Sequence, residues 1–199
     1  MKRPPCKAWH QAALGLALLA VLALPATRHW LEASMWRHML LQFPLLLLAG
    51  GLPAATLRPR LRAALAGWNA HGITGLVLAG TVLALLMIPR VLDLALREPG
   101  VEAAKCAALL LAGSALRLSW PAAGLVVQGF FLGNMLPMMV VVGQLFIDSP
   151  LRLCNAYLLD DQERLGQWLI AVAALLGIAW LGHAAWRLVR RDEARLAPP

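Results

Sequence analysis

The sequence predicts an all-α protein, a polytopic bundle of about six transmembrane helices forming one domain over residues 1–199. Three observations carry this reading. Of the 199 residues, 60% are hydrophobic and 14% charged, too apolar a mixture for the surface of an ordinary soluble domain. Apolar runs close to the ~20 residues that a bilayer core of ~30 Å requires recur along the chain, separated by short polar joints. The net charge of +8 is spread over those joints and both termini, without an aromatic-interleaved basic surface. It therefore reads as a topology signal, and a nucleic-acid partner is not expected.

The elements follow in order. Lys2, Arg3 and Lys7 precede an apolar run over 8–26, which is either an uncleaved first span, the preferred reading, or a signal peptide ending near Leu24-Pro25-Ala26. A second span over 35–57 leads to a joint with Arg58, Arg60 and Arg62, whose charge suits the cytoplasmic side. A third span covers 71–89. The joint after it balances Arg90, Arg97 and Lys105 against Asp93, Glu98 and Glu102, and Val91 to Leu96 suggests an interfacial helix closed by Pro99-Gly100. A fourth span over 104–120 has Lys105 and Arg117 near its ends, each expected to snorkel to an interface. The fifth, over 122–147, contains Gly129 and Gly133, a GxxxG pair suited to close helix approach, and Pro137, which frees the Gly133 carbonyl. An acidic outer loop from Asp148 to Arg164 precedes the last span, over 165–189, and a basic tail. Six spans with both termini in the cytoplasm satisfy the charge rule at every joint, as expected of a multi-pass membrane protein.

The unusual residues are soft donors. Met35, His38 and Met39 share one helix face, and Pro44 leaves the Leu40 carbonyl without its helical donor. Met87 ends the third span, Cys106 begins the fourth, and Met135, Met138 and Met139 lie on one face in the outer half of the fifth. Under the predicted topology all of these gather toward the outer side. Thioether, thiol and imidazole together favour Cu(I) over hard cations, whereas packing filler is the ordinary role of methionine. His10, His71 and His183 fall near inner ends and read as interfacial anchors. The three cysteines, Cys6, Cys106 and Cys154, lack the spacing of a zinc finger or redox pair. No nucleophile pattern, phosphate loop or paired carboxylates accompany the cluster, so an enzyme is not expected.

These residues carry a resemblance. Over roughly Met35 to Trp180 the chain resembles the CtaG family of membrane proteins, associated with copper supply and cytochrome c oxidase assembly. That family's His-Met-x-x-His-Met-Leu-Leu pattern is similar to Ser34-Met35-Trp36-Arg37-His38-Met39-Leu40-Leu41. Its Trp-His-x-Pro ending is similar to Leu86-Met87-Ile88-Pro89, its Glu-His pair falls on Lys105-Cys106 before Gly113, and its Asp-Gln helix start is like Asp161-Gln162. Where the family shows histidine, this chain has Ser34, Met87 and Cys106; His38 alone matches directly. The Asp161-Gln162 start also reads simply as a helix N-terminal anion and cap. The resemblance implies an assembly factor that binds or delivers Cu(I) at the outer face, in contact with oxidase subunits or another copper carrier. A copper-free structural subunit that docks through the Gly129 to Gly143 helix is the rival reading, and a small transporter the third.

Overall fold

The computed structural model describes residues 6–196; Lys2 and Arg3 of the basic start lie outside them. Every regular element among the described residues is helical. Proline punctuates the chain: it occupies the first turn of α2 (Pro25–Glu32), α5 (Pro59–Trp68), α7 (Pro89–Arg97) and α8 (Pro99–Ser119). There its missing N–H costs nothing and its fixed φ suits the helix. Pro99-Gly100 accordingly opens α8 where it was expected to close the preceding helix. The fourth long segment therefore begins at Pro99, ahead of the expected 104.

α1 (Cys6–Ala23) bends by 73° into α2. The second segment is composite. α3 (Met35–Arg37) runs into a π-helical turn over His38–Gln42, then α4 (Phe43–Gly51), and ends in a 3₁₀ turn over Pro53–Thr56. The widened turn stands directly before Pro44, where an α-helix would lack the N–H for the Leu40 carbonyl. It buries His38, Met39 and Gln42 together. α5 meets α6 (Ile73–Leu86) at 82°, and Gly72 makes that corner at φ +71°, a left-handed conformation that favours glycine. α9 (Leu125–Asp148) and α10 (Leu159–Leu196) complete the chain. Among the described residues three segments, Met35–Thr56, Leu125–Asp148 and Leu159–Ala194, are long and apolar enough to cross a membrane, and up to five are if each bent pair forms one span.

Small residues set the packing. A Cβ on Gly51 would lie 3.0 Å from the Gly113 carbonyl oxygen, and one on Gly113 would meet the Leu47 backbone, so α4 and α8 touch through their main chains. His38 and Gln42 meet Lys105 at one end of this pair, while Gly51 meets Gly113 and Arg117 at the other. The two helices thus run in the same direction. α9 and α10 run oppositely, joined by Gly143 against Gly166 and by Gly129 against the Trp180 ring. The expected GxxxG contact is only half used: Gly129 is covered by Trp180, but nothing lies within 4 Å of a Cβ on Gly133. The close approach is one helical stretch further on, at Gly143.

Candidate functional site

The largest buried polar assembly centres on His38, which is 0% exposed. Nζ of Lys105 lies 2.7 Å from His38 Nε2 and 3.0 Å from Gln42 Oε1. An ammonium only donates, so Nε2 is the acceptor and Nδ1 carries the ring proton, which it donates to the Tyr157 hydroxyl at 2.7 Å. Glu102 balances the ammonium at 2.7 Å. Around this core, Arg28 pairs with Glu32 at 2.8 Å and approaches Glu102 at 3.8 Å, and Gln42 Nε2 reaches Glu32 at 3.5 Å. Two cations thus face two carboxylates around a neutral imidazole, a composition that limits the cost of burying them. Arg28 is half-exposed and marks where the assembly meets the surface.

Local sequence explains each placement. Gln42 follows His38 by one helical turn, and Lys105 follows Glu102 by three residues, so each pair shares a face. Met35 N and Ser34 Oγ each donate to Asp161 at 2.8 Å. Asp161 therefore caps α3, across the bundle, in addition to standing in the first turn of its own helix. Gln162 is buried and ties the preceding loop down: it accepts from Leu153 N and donates to the Phe146 and Leu151 carbonyls. Asp93 accepts from the backbone N–H groups of Asn155 and Ala156 at 2.9 and 3.1 Å, which holds Tyr157 against His38. Burial, assisted by Glu32, Cys154, Asp161 and Asp93, pushes the Tyr157 hydroxyl well above the ordinary phenol range, so it stays protonated.

The donors singled out in the sequence separate into two groups. Met35, Met39 and His38 are buried at the centre, and Met87, Cys106 and Met139 pack on the same apolar cluster. Met135 instead lies across from Gly80 on the α6 side of α9, and Met138 is not part of the cluster. Cys106 donates to Glu102 at 3.4 Å. Lys105, expected to snorkel out, is 2% exposed; Glu102, His38 and Gln42 hold it inward. Arg117 does reach outward, donating to Gln11 at 3.1 Å. As arranged, the residues do not fit a metal centred on His38, because both ring nitrogens are engaged and the nearest group to Nε2 is a cation. Among the described residues no three His, Cys, Asp or Glu side chains are grouped to hold a metal.

Sequence reasoning sent Lys105 outward and gave Glu102, Gln42 and Tyr157 no part in a site. Two signals were present: a lysine and a glutamate three residues apart at the start of an apolar helix, and the single tyrosine of the chain. Comparison with protein-family models, curated proteins and solved structures finds no match to this chain.

Proposed function

We propose that the protein is a membrane-embedded assembly factor of the CtaG kind, acting in cytochrome c oxidase maturation as a docking partner whose polar centre carries its own cation. The observation behind this reading is the Lys105 ammonium 2.7 Å from His38 Nε2, at the position where an imidazole would otherwise offer its lone pair. The resemblance motifs support it too: Ser34 and Met35 meet Asp161, while Cys106 bonds Glu102, the partner of Lys105. Positions far apart in sequence thus serve one assembly. No reaction is assigned to it.

A second reading keeps Cu(I) as cargo, held by thioethers and thiol. The gathering of Met35, Met39, Met87, Met139 and Cys106 on one cluster favours it, since such donors suit Cu(I). Under either reading we propose six crossings of an inner membrane with both termini cytoplasmic; the parallel course of α4 and α8 and the antiparallel course of α9 and α10 support that alternation.

The test combines metal analysis of the purified protein with oxidase assembly in a deletion strain grown across a copper series. A docking factor yields no stoichiometric copper and an assembly defect that surplus copper leaves unchanged. Copper at one per chain, lost in Cys106→Ala, together with rescue by surplus copper, establishes the cargo reading, because mass action by free metal substitutes for a carrier only. Normal oxidase at every copper level removes both.

A further inference from the structure

At the opposite end of the bundle from His38, a groove of about 920 Å³ opens between the 3₁₀ turn after α4, the α5–α6 corner and the C-terminal end of α8. Its apolar lining includes Leu65, Leu78 and Leu118, together with Trp68, which is 85% exposed. Its only charged lining residues are Arg62 and Arg117. Arg62 donates to the Ala54 and Ala55 carbonyls at 3.4 and 3.1 Å, and Arg117 to the Gln11 amide oxygen. No carboxylate among the described residues pairs with either, nor with Arg58 or Arg60 on the same joint. Between Glu32 and Asp93 the chain has no acidic residue at all.

We infer that this groove binds one anionic phospholipid, its phosphodiester between Arg62 and Arg117 and an acyl chain along the leucines. Charge complementarity selects the occupant. Two guanidiniums with neutral polar partners suit a phosphate, which each can engage with paired N–H groups. The leucines of the lining give a lipid tail a contact that a free phosphate ester lacks. Trp68, exposed beside the groove, is the side-chain type suited to the junction of headgroup and hydrocarbon. Basic residues beside a membrane span attract anionic lipid generally; the groove converts that attraction into a single retained molecule.

The experiment is native mass spectrometry of the full chain released from nanodiscs of phosphatidylcholine doped with phosphatidylglycerol. Wild-type protein retains one phosphatidylglycerol in preference to phosphatidylcholine, and excess glycerol phosphate does not displace it. Arg62→Gln and Arg117→Gln each weaken retention about fivefold, and the double variant about thirtyfold, as expected of the contribution of an arginine at a membrane surface. Arg62→Lys, which keeps the charge but not the planar fork, weakens retention by about two- to threefold, less than Arg62→Gln does. This separates lipid binding from the bonds of Arg62 to the 3₁₀ turn. Arg152→Gln, an exposed change in the opposite loop, leaves retention unaltered. Equal retention of the two lipids, displacement by glycerol phosphate, or a double variant that matches wild type would each overturn the inference.

Discussion

Lys105 and His38 are joined by a 2.7 Å contact between Nζ and Nε2 although 67 residues separate them. The contact sets the proton positions of the whole buried assembly, since an ammonium on Nε2 leaves Nδ1 to carry the proton shared with Tyr157. It also means that the two residues stand or fall with Glu102, which neutralises the ammonium.

Lys105→Met is therefore expected to destabilise the protein by about 3–5 kcal/mol, because it leaves the Glu102 carboxylate buried without its nearest cation. Combining it with Glu102→Gln is expected to cost less than the sum of the two single changes by at least about 1 kcal/mol, since the pair is removed as a unit. Thermal unfolding of the four proteins in one detergent measures this cycle. Additive costs would show that Lys105 and Glu102 do not depend on each other.

Asp161 is expected to anchor the entry to α3. Asp161→Ala removes the acceptor of Met35 N and Ser34 Oγ and should cost about 0.5–2 kcal/mol, the range for a lost helix cap. Exchange of the amides of residues 34–37 should accelerate. Asp160→Ala, at an exposed neighbour with no such role, should stay within about 0.5 kcal/mol of wild type. Hydrogen exchange with mass spectrometry distinguishes the two variants, and equal behaviour would count against the cross-bundle cap.

The α9–α10 contact gives a steric prediction. A Cβ on Gly143 would lie 2.8 Å from the Gly166 carbonyl oxygen, whereas one on Gly133 meets nothing within 4 Å. Gly143→Val should destabilise by about 1–3 kcal/mol, the usual cost of forcing bulk into a packed contact. Gly133→Ala should be neutral or stabilising by up to about 1 kcal/mol, through helix propensity alone. Melting temperatures of the two variants decide the matter; the reverse order would place the helix crossing at the GxxxG pair after all.

Cys154 offers a chemical probe of the loop between α9 and α10. Burial, with Asp93 adding its negative charge, pushes its thiol up to about 12, and the side chain is 1% exposed. At pH 8 the thiol therefore stays protonated, and the thiolate is the reactive form. Maleimide labelling resolved by peptide mass spectrometry should leave Cys154 unmodified in the folded protein and modify it after denaturation. Asp93→Asn should loosen the loop and raise labelling in the folded state. Rapid labelling of the folded wild-type protein would mean that the loop opens freely.

The sequence by itself determined the helical class, three of the apolar segments, expected over 35–57, 122–147 and 165–189 and found as Met35–Thr56, Leu125–Asp148 and Leu159–Ala194, and a disturbance at Pro44, because each is written in local composition. Apolar run length, a proline's missing N–H and the spacing of residues on one helix face are properties of neighbours in the chain. The tertiary structure alone decided what His38 faces. Lys105 near a helix end is equally able to reach outward, as Arg117 does, or to turn inward, and only the packing of α8 on α4 through Gly51 and Gly113 brings Glu102 and Gln42 near enough to hold its charge inside. In the same way Asp161 reads locally as a cap for its own helix, yet the bundle delivers Met35 N to it from across the fold. A buried charge is stable only with its partners in place, and those partners lie in other segments, which no local pattern specifies.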